Sequence, residues 1–335
     1  MLRKALFTII LFATVWITYS TIKYFNGGDF SQVLSLYKGI SAAKWGWLLL
    51  GAAVFYFFEA ARYWALLRLA GFQKSLTFGL WLTFASHFAA TLTPMGELLH
   101  PVLVLLMVAG GVPVSAAIAV TAVRSLYITF WICLVAFGSL RFSPEVHLPS
   151  AVSTGMAVAT PALILVGLLF IALVLFPGAI FRLTERQLSR ENLPGYLRSF
   201  LGGLQRTTQT LCSLGRSISP LNLFCHVSSV LTILVYAAIG YFIATEFGVL
   251  LSPLKSLAVF SNSLMIAYLA PVPGAIGVTE LATSYLINPN MTSEGIGISL
   301  LLRVISWYAP IIPGGILLAL AVRKKTLSEK QLSFP

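Results

Sequence analysis

Pro273-Gly274-Ala275-Ile276-Gly277-Val278-Thr279-Glu280 interrupts a long apolar run, and a shorter cluster, Pro94-Met95-Gly96-Glu97, interrupts another one early in the chain. Each puts helix-breaking residues and a carboxylate into sequence that otherwise reads as membrane-spanning. Hydrocarbon offers no water to a broken backbone, so such breaks persist where they are buried in protein or line a wet cavity. Ionisable groups at that depth mark substrate or ion paths. Each break is followed by an apolar segment carrying a lone arginine, Arg124 after the first and Arg303 after the second. Helix, broken hairpin and arginine-bearing helix, written twice, predict an all-α polytopic integral membrane protein. It would be one transmembrane domain of two inverted repeats, residues 45–140 and 221–322, with its site where the repeats meet near the midplane.

Composition supports that class. Of 335 residues 58% are hydrophobic and 10% charged, and mean hydropathy is +0.90. The net charge of +12 does not point to nucleic acid, because the basic residues gather in short segments between apolar runs, as cytoplasmic loops do beside an anionic leaflet. Cys133, Cys212 and Cys225 have no metal-ligand spacing, and no cofactor is expected. Met1-Leu2-Arg3-Lys4 and the apolar stretch after it resemble a signal peptide, but Tyr19 to Phe25 lacks a small-residue cleavage pattern. A retained first helix with a cytoplasmic amino terminus is expected.

Spanning takes about 20 apolar residues. The candidates are Ala5–Ile22, Trp45–Ala70, Leu76–Thr93, Leu98–Ala109, Val114–Leu140, Met156–Phe176, Leu221–Thr245, Leu254–Leu269, Ala275–Ile287 and Ile296–Val322. Leu98–Ala109 and Ala275–Ile287 are too short to span comfortably. Residues 177–219, with Arg182, Arg186, Arg190, Arg198, Arg206 and Arg216, read as the main cytoplasmic loop. Fixing this loop, the amino terminus and the Arg323-Lys324-Lys325 tail inside makes Leu76–Ala109 a hairpin dipping from the cytoplasm and Leu254–Ile287 its inverted counterpart from outside. Two fully spanning helices per hairpin would give the same topology; segment length and Pro/Gly content favour re-entrance. A cytoplasmic membrane, bacterial or archaeal, is the expected location.

Several polar residues are candidates for the site, each open to a structural role as well. Glu97 and Glu280 follow the breaks and can cap free N–H groups at a half-helix start, serve as a proton or cation site, or pair with a lipid headgroup amine. The half-helix expected to begin near Gly274, after Pro273 and with Gly277 beside it, would aim free N–H groups at the cavity, as would the break at Pro94 and Gly96. Arg124 and Arg303 can neutralise the glutamate of their own repeat, or present a planar fork to phosphate. Arg62 lies three residues after Glu59, a spacing that suits an interfacial ion pair on one helix. Asn262, Ser261, Ser263, Thr91 and Thr93 are candidate lining groups. His87 and His226 suit hydrogen-bonded packing better than ligation, and Trp45, Trp47 and Trp307 suit interface anchoring or packing. No H-E-x-x-H or G-x-S-x-G motif occurs and Asp29 is the sole aspartate, so covalent chemistry by this chain alone is not expected.

The stretches Arg62-Tyr63-Trp64 with Leu66-Leu67 and Gly71, Thr93-Pro94 with Gly96-Glu97, Arg124, and Pro271-Val272-Pro273-Gly274 with Gly277 and Glu280 resemble the lysylphosphatidylglycerol synthase transmembrane-region family, also called the flippase-like domain family. The resemblance runs from about Ala43 to Val322 and implies an inverted-repeat protein that translocates lipid, alone or fused to a cytosolic aminoacyl-lipid synthase domain. The chain stops at Pro335 without such a domain, so a stand-alone, non-enzymatic member is the expectation. Val123 stands where the family commonly has an acidic residue, His100 where arginine is common, and the Pro94–Glu97 segment is shorter; these differences bear on substrate rather than fold. The expected ligand is a membrane lipid with a phosphate-bearing headgroup, anionic or zwitterionic, or a polyprenyl-phosphate-linked one. Arg124 and Arg303 would contact it. The alternative is a non-transporting module that scaffolds, or presents lipid to, a separate glycosyl- or aminoacyl-transferase. A second copy of the chain or such a transferase is the possible protein partner.

Overall fold

A computed structural model describes residues 30–92, 99–146, 182, 184–186, 194–270 and 274–320. Among them the secondary structure is helical throughout: α1 (Phe30–Lys38), α2 (Ala42–Leu69), α3 (Leu76–Leu92), α4 (Leu99–Ala109), α5 (Val114–Arg141), α6 (Gly195–Arg216), α7 (Pro220–Glu246), α8 (Pro253–Leu269) and α9 (Val278–Ile287). The last, α10, runs Ser293–Leu320 and is regular as far as Arg303. The expected spans Ala5–Ile22 and Met156–Phe176, the basic tail, and Pro94, Gly96, Glu97 and Pro273 lie outside the described residues.

Local chemistry sets the helix ends. Ser219 and Ser252 cap α7 and α8, accepting from the N–H groups of Asn222 and Lys255 at 3.2 Å each, and each is followed by a proline at the first helical position, where its missing N–H costs nothing. At the ends of α2 and α4, Gly71 (φ 89°) and Gly111 (φ 82°) turn the chain through the left-handed region that glycine enters without strain. The helices α5, α7 and α10 have 28, 27 and 28 residues, long and apolar enough to cross a membrane, whereas α4 has 11 residues and α9 has 10. At 1.5 Å per residue these two reach only about 15 Å, half of the hydrocarbon thickness. Both are too short to cross alone, as the run lengths of Leu98–Ala109 and Ala275–Ile287 predict.

The exterior is apolar around a core that, besides its many apolar side chains, buries several charges. Trp47, Leu49, Phe130, Leu134, Ile312 and Ile316 lie exposed on the outside, while Glu59, Arg62, Arg124, Glu280 and Arg303 are all buried. Several inward hydroxyls are satisfied within their own helices: Thr83, Ser229, Thr232 and Thr283 each donate to the carbonyl four residues earlier. Close crossings rely on small residues. A Cβ on Gly79 would be driven into the Ala60 carbonyl, and one on Gly314 into the Phe84 carbonyl. An all-α polytopic membrane protein follows from these lengths, this exterior and this interior.

Helices α2 and α7 pack along each other at the centre, flanked by α3 on α2 and α8 on α7; α4 lies on α5 and α9 on α10. Helix α5 packs on α8, and the Gly314–Gly315 face of α10 packs on Phe84 and Phe88 of α3. Within the basic segment 177–219, Gly195–Arg216 forms the helix α6, which buries Leu211 and Leu214 in the cluster around α5 and leaves Arg198 and Arg206 exposed. Helix α1 meets α2 at a 96° bend and lies sideways on α10, with Val33 buried against Ile296 and Leu300.

Helix α10 contains a π turn, Val304–Tyr308, directly after Arg303. Pro310 has no N–H to offer the Ser306 carbonyl, and the Ala309 N–H reaches back five residues to Val304 at 2.9 Å. That leaves the Ile305 carbonyl without its helical donor, and the Tyr56 hydroxyl of α2 donates to it at 2.6 Å.

Candidate functional site

Glu59 on α2 is the hub of the first buried ion cluster. One carboxylate oxygen accepts from Arg62 one turn along the same helix, and the other accepts from Arg124 Nη2 on α5 at 2.6 Å. Arg62 also donates to Ser229 Oγ on α7 at 3.0 Å, so α2 and α5 meet at one carboxylate and α7 joins them through Arg62. The expected Glu59–Arg62 pair therefore exists, but at 3% and 0% exposure it is a core feature rather than an interfacial one. The carboxylate bound to Arg124 is Glu59; the glutamate of its own hairpin, Glu97, lies outside the described residues. The Arg124 guanidinium also stands 5.2 Å from the Tyr63 ring, a favourable face for a cation.

The second cluster surrounds the Pro-Gly break. Glu280, in the first turn of α9, accepts from the Gly277 N–H at 2.8 Å and from the Tyr308 hydroxyl at 2.6 Å, with Arg303 Nε 3.5 Å away. Arg303 donates to the Gly274 carbonyl and lies against the rings of Trp307 and Tyr308, at 4.9 and 5.5 Å. Gly274 (φ 60°), Ala275 (φ 55°) and Gly277 (φ 80°) carry the chain through the left-handed region. The Gly274 N–H donates to the Ala90 carbonyl at 3.2 Å, and Thr91 packs so closely that a Cβ on Gly274 would lie 3.2 Å from it. The second break is thereby fastened to the end of α3, just before the first.

This arrangement alters one expectation. The half-helix begins at Val278 rather than near Gly274, and the N–H groups of Gly274 and Gly277 are taken by Ala90 and Glu280. The anion at this helix N-terminus is the protein's own carboxylate, the capping role open to Glu280.

Between the clusters lies a cavity of about 80 Å³, bounded by Glu59, His87, Arg124, Tyr268, Gly274, Ala275 and Trp307 together with apolar neighbours. At about 30 Å³ per water it has room for a few waters. Of the expected site residues it brings together Arg124 and Gly274; Arg303, Glu280 and Gly277 stand immediately behind the wall, and Arg62 behind Glu59. Asn262 is elsewhere: its amide donates to the carbonyls of Ala136 and Ala258 at 3.1 and 2.8 Å, tying α8 to α5. Ser261 is bonded to Ser139 and Ser263 to Thr283, again as helix ties. Glu59, His87 and Trp307, which the sequence suggested as pairing or packing residues, belong to the cavity wall. A histidine in the middle of an apolar hairpin was the visible signal for one of them.

Among the described residues three guanidiniums, of Arg62, Arg124 and Arg303, face two carboxylates, of Glu59 and Glu280, one positive charge more than negative. In addition, Arg124 Nε, both ring nitrogens of His87 and Trp307 Nε1 are buried without a hydrogen-bond partner among the described residues. Most of these atoms are donors. Buried groups of this kind are normally paired, so the wall is chemically suited to an acceptor-rich, anionic guest.

A family model described as the Lysylphosphatidylglycerol synthase TM region matches residues 5–314. No curated protein matches the chain.

Proposed function

The chain belongs to the lysylphosphatidylglycerol synthase TM region family, a membrane region related to lipid handling, and from that membership we propose that it carries phosphate-bearing lipid headgroups between leaflets. The observation that carries the proposal is the excess positive charge, among the described residues, beside a donor-lined cavity in the helix bundle. A buried net charge is costly unless compensated, and a phosphodiester monoanion compensates it one for one. Arg124 is the residue placed to receive it. Its Nη2 holds Glu59 and Tyr268 engages the guanidinium as well, leaving Nε, without a partner among the described residues, to a phosphate oxygen, with Trp307 Nε1 as a second donor. Arg303 and Glu280 hold the break in shape rather than meet the lipid.

The helix pairings support a duplicated unit: α2 to α5 correspond in order and contact to α7 to α10. In this reading the two units are inverted in the membrane, both termini are cytoplasmic, and the headgroup moves while the acyl tails stay in lipid. The contact of Gly274 with Ala90 and Thr91 joins the two units beside the cavity, and in this reading they part there to admit the headgroup. The chain performs no covalent chemistry on the lipid.

The test is reconstitution of the purified protein alone into vesicles holding a tail-labelled fluorescent phosphatidylglycerol, with dithionite quenching as the measure of headgroup accessibility. Inner-leaflet label should become quenchable in protein-containing vesicles, and at least tenfold more slowly with Arg124→Gln. Quenching that halts at the outer-leaflet fraction, as in protein-free vesicles, would favour a module that presents lipid to another enzyme.

A further inference from the structure

His87 is the one cavity-wall side chain, among the described residues, that can change its charge without dismantling an ion pair. It stands in the middle of α3, 6% exposed, with its ring edge-on to Trp307 and Tyr56 at centroid distances of 4.7 and 5.9 Å. Neither Nδ1 nor Nε2 has a hydrogen-bond partner among the described residues. Packing alone would be served by an apolar ring of similar size, whereas an imidazole brings a donor and an acceptor that burial leaves unused. The two carboxylates nearby are committed: the oxygens of Glu59 hold Arg62 and Arg124, and those of Glu280 hold Tyr308 and Gly277. Neither can bind a proton without losing those partners.

The charged and titratable groups around His87 are Tyr56, Glu59, Arg62 and Tyr63 on α2, His100 on α4, Arg124 on α5, Tyr268 on α8, Glu280 on α9, and Arg303 and Tyr308 on α10. His100 is engaged with Ser125 Oγ at 3.1 Å, on the far side of Arg124. Of the full charges, Glu59, Arg124 and Arg303 act on His87 directly. Glu59 is already shared between two arginines, and neither ring nitrogen has an acceptor among the described residues. An anion placed among Arg124, Trp307 and His87 would supply both a negative charge and an acceptor for an imidazolium N–H.

We infer that His87 takes up a proton from water when an anionic headgroup enters the cavity, so that proton and headgroup are bound and moved together. The inference rests on the headgroup proposal and adds the coupling ion to it. Coupling of this kind is reciprocal: the anion draws in the proton, and the proton tightens the anion. A pH difference across the membrane then drives lipid toward the alkaline side.

The experiment uses the full chain in detergent with dihexanoyl-phosphatidylglycerol as the probe. Titration calorimetry in two buffers of different ionisation enthalpy, from pH 6.5 to 8.5, gives the protons taken up per lipid bound. Uptake of about one proton, with affinity falling by about tenfold per pH unit, is expected for obligate co-binding, and His87→Gln should bind without uptake. Imidazole 15N NMR of the unsubstituted protein makes the same distinction independently of that variant's stability, because one histidine should change from neutral to imidazolium on lipid addition. Lipid binding with no proton uptake, or with uptake unchanged in His87→Gln, overturns the proton role and leaves the headgroup site standing. No binding by the parent protein removes both.

Discussion

Replacing Glu59 by glutamine should be the most damaging single polar change in the bundle, and the structure fixes how it compares with its neighbours. One carboxylate at 3% exposure compensates two guanidiniums, of Arg62 at 0% and Arg124 at 4%. Glu59→Gln removes the charge and leaves both cations stranded, and breaking a buried pair on one side costs about 3–5 kcal/mol. Arg124→Gln is milder, because Glu59 keeps Arg62 and no cation is left stranded; the loss is about one charge-assisted hydrogen bond, 1.5–3 kcal/mol. The double variant Glu59→Gln/Arg124→Gln removes one stranded cation, so it should be more stable than Glu59→Gln alone, with a coupling of about 2 kcal/mol. Unfolding in a graded SDS series, followed by tryptophan fluorescence, measures all three. Equal losses for Glu59→Gln and Arg124→Gln, with an additive double variant, would refute the hub role of Glu59 and move the compensating charge of Arg124 elsewhere.

Gly277→Ala forces a side chain into φ 80° and should cost about 1–2 kcal/mol in the same assay, with α9 otherwise intact. Arg124→Lys keeps the charge but replaces a fork by a point donor, so lipid movement in vesicles should fall about tenfold, the worth of one charge-assisted hydrogen bond. Cysteines at Glu145 and Asn290 should label from outside intact cells and those at Arg198 or Arg206 from the cytoplasm; labelling of both sets from one face would end the inverted arrangement.

Element positions were largely written in apolar run length. The shortness of α4 and α9, the break before Glu280, and the Glu280–Arg303 proximity follow from segment lengths and Pro/Gly placement. The Glu59–Arg124 bond does not, because it joins residues 65 apart and depends on how α2 crosses α5. For the same reason the donors at Gly274 and Gly277 looked free: whether an N–H is available depends on what packs against it, and Ala90 comes from a remote helix. The arginines of 177–219 suggested a loop, although Leu204, Leu211 and Leu214 within Gly195–Arg216 have the spacing of a helix face. His87 was ambiguous since packing and ligation leave the same mark in sequence; only a cavity beside it separates them.

The π turn in α10 has a further consequence for how the two ends of that helix are phased. Each residue of a regular helix advances its side chain by about 100°, so the widened turn resets the azimuth of all that follows relative to Ser293–Arg303. The upstream portion aims Arg303 at the break, while the downstream portion must aim Gly314 and Gly315 at Phe84 and Phe88. Deleting one residue within Val304–Tyr308 would remove the extra residue of the wide turn yet swing that glycine face about a quarter-turn away from α3. A loss of one residue here should therefore disturb the closure at Ala90 more than loss of several residues from an external loop.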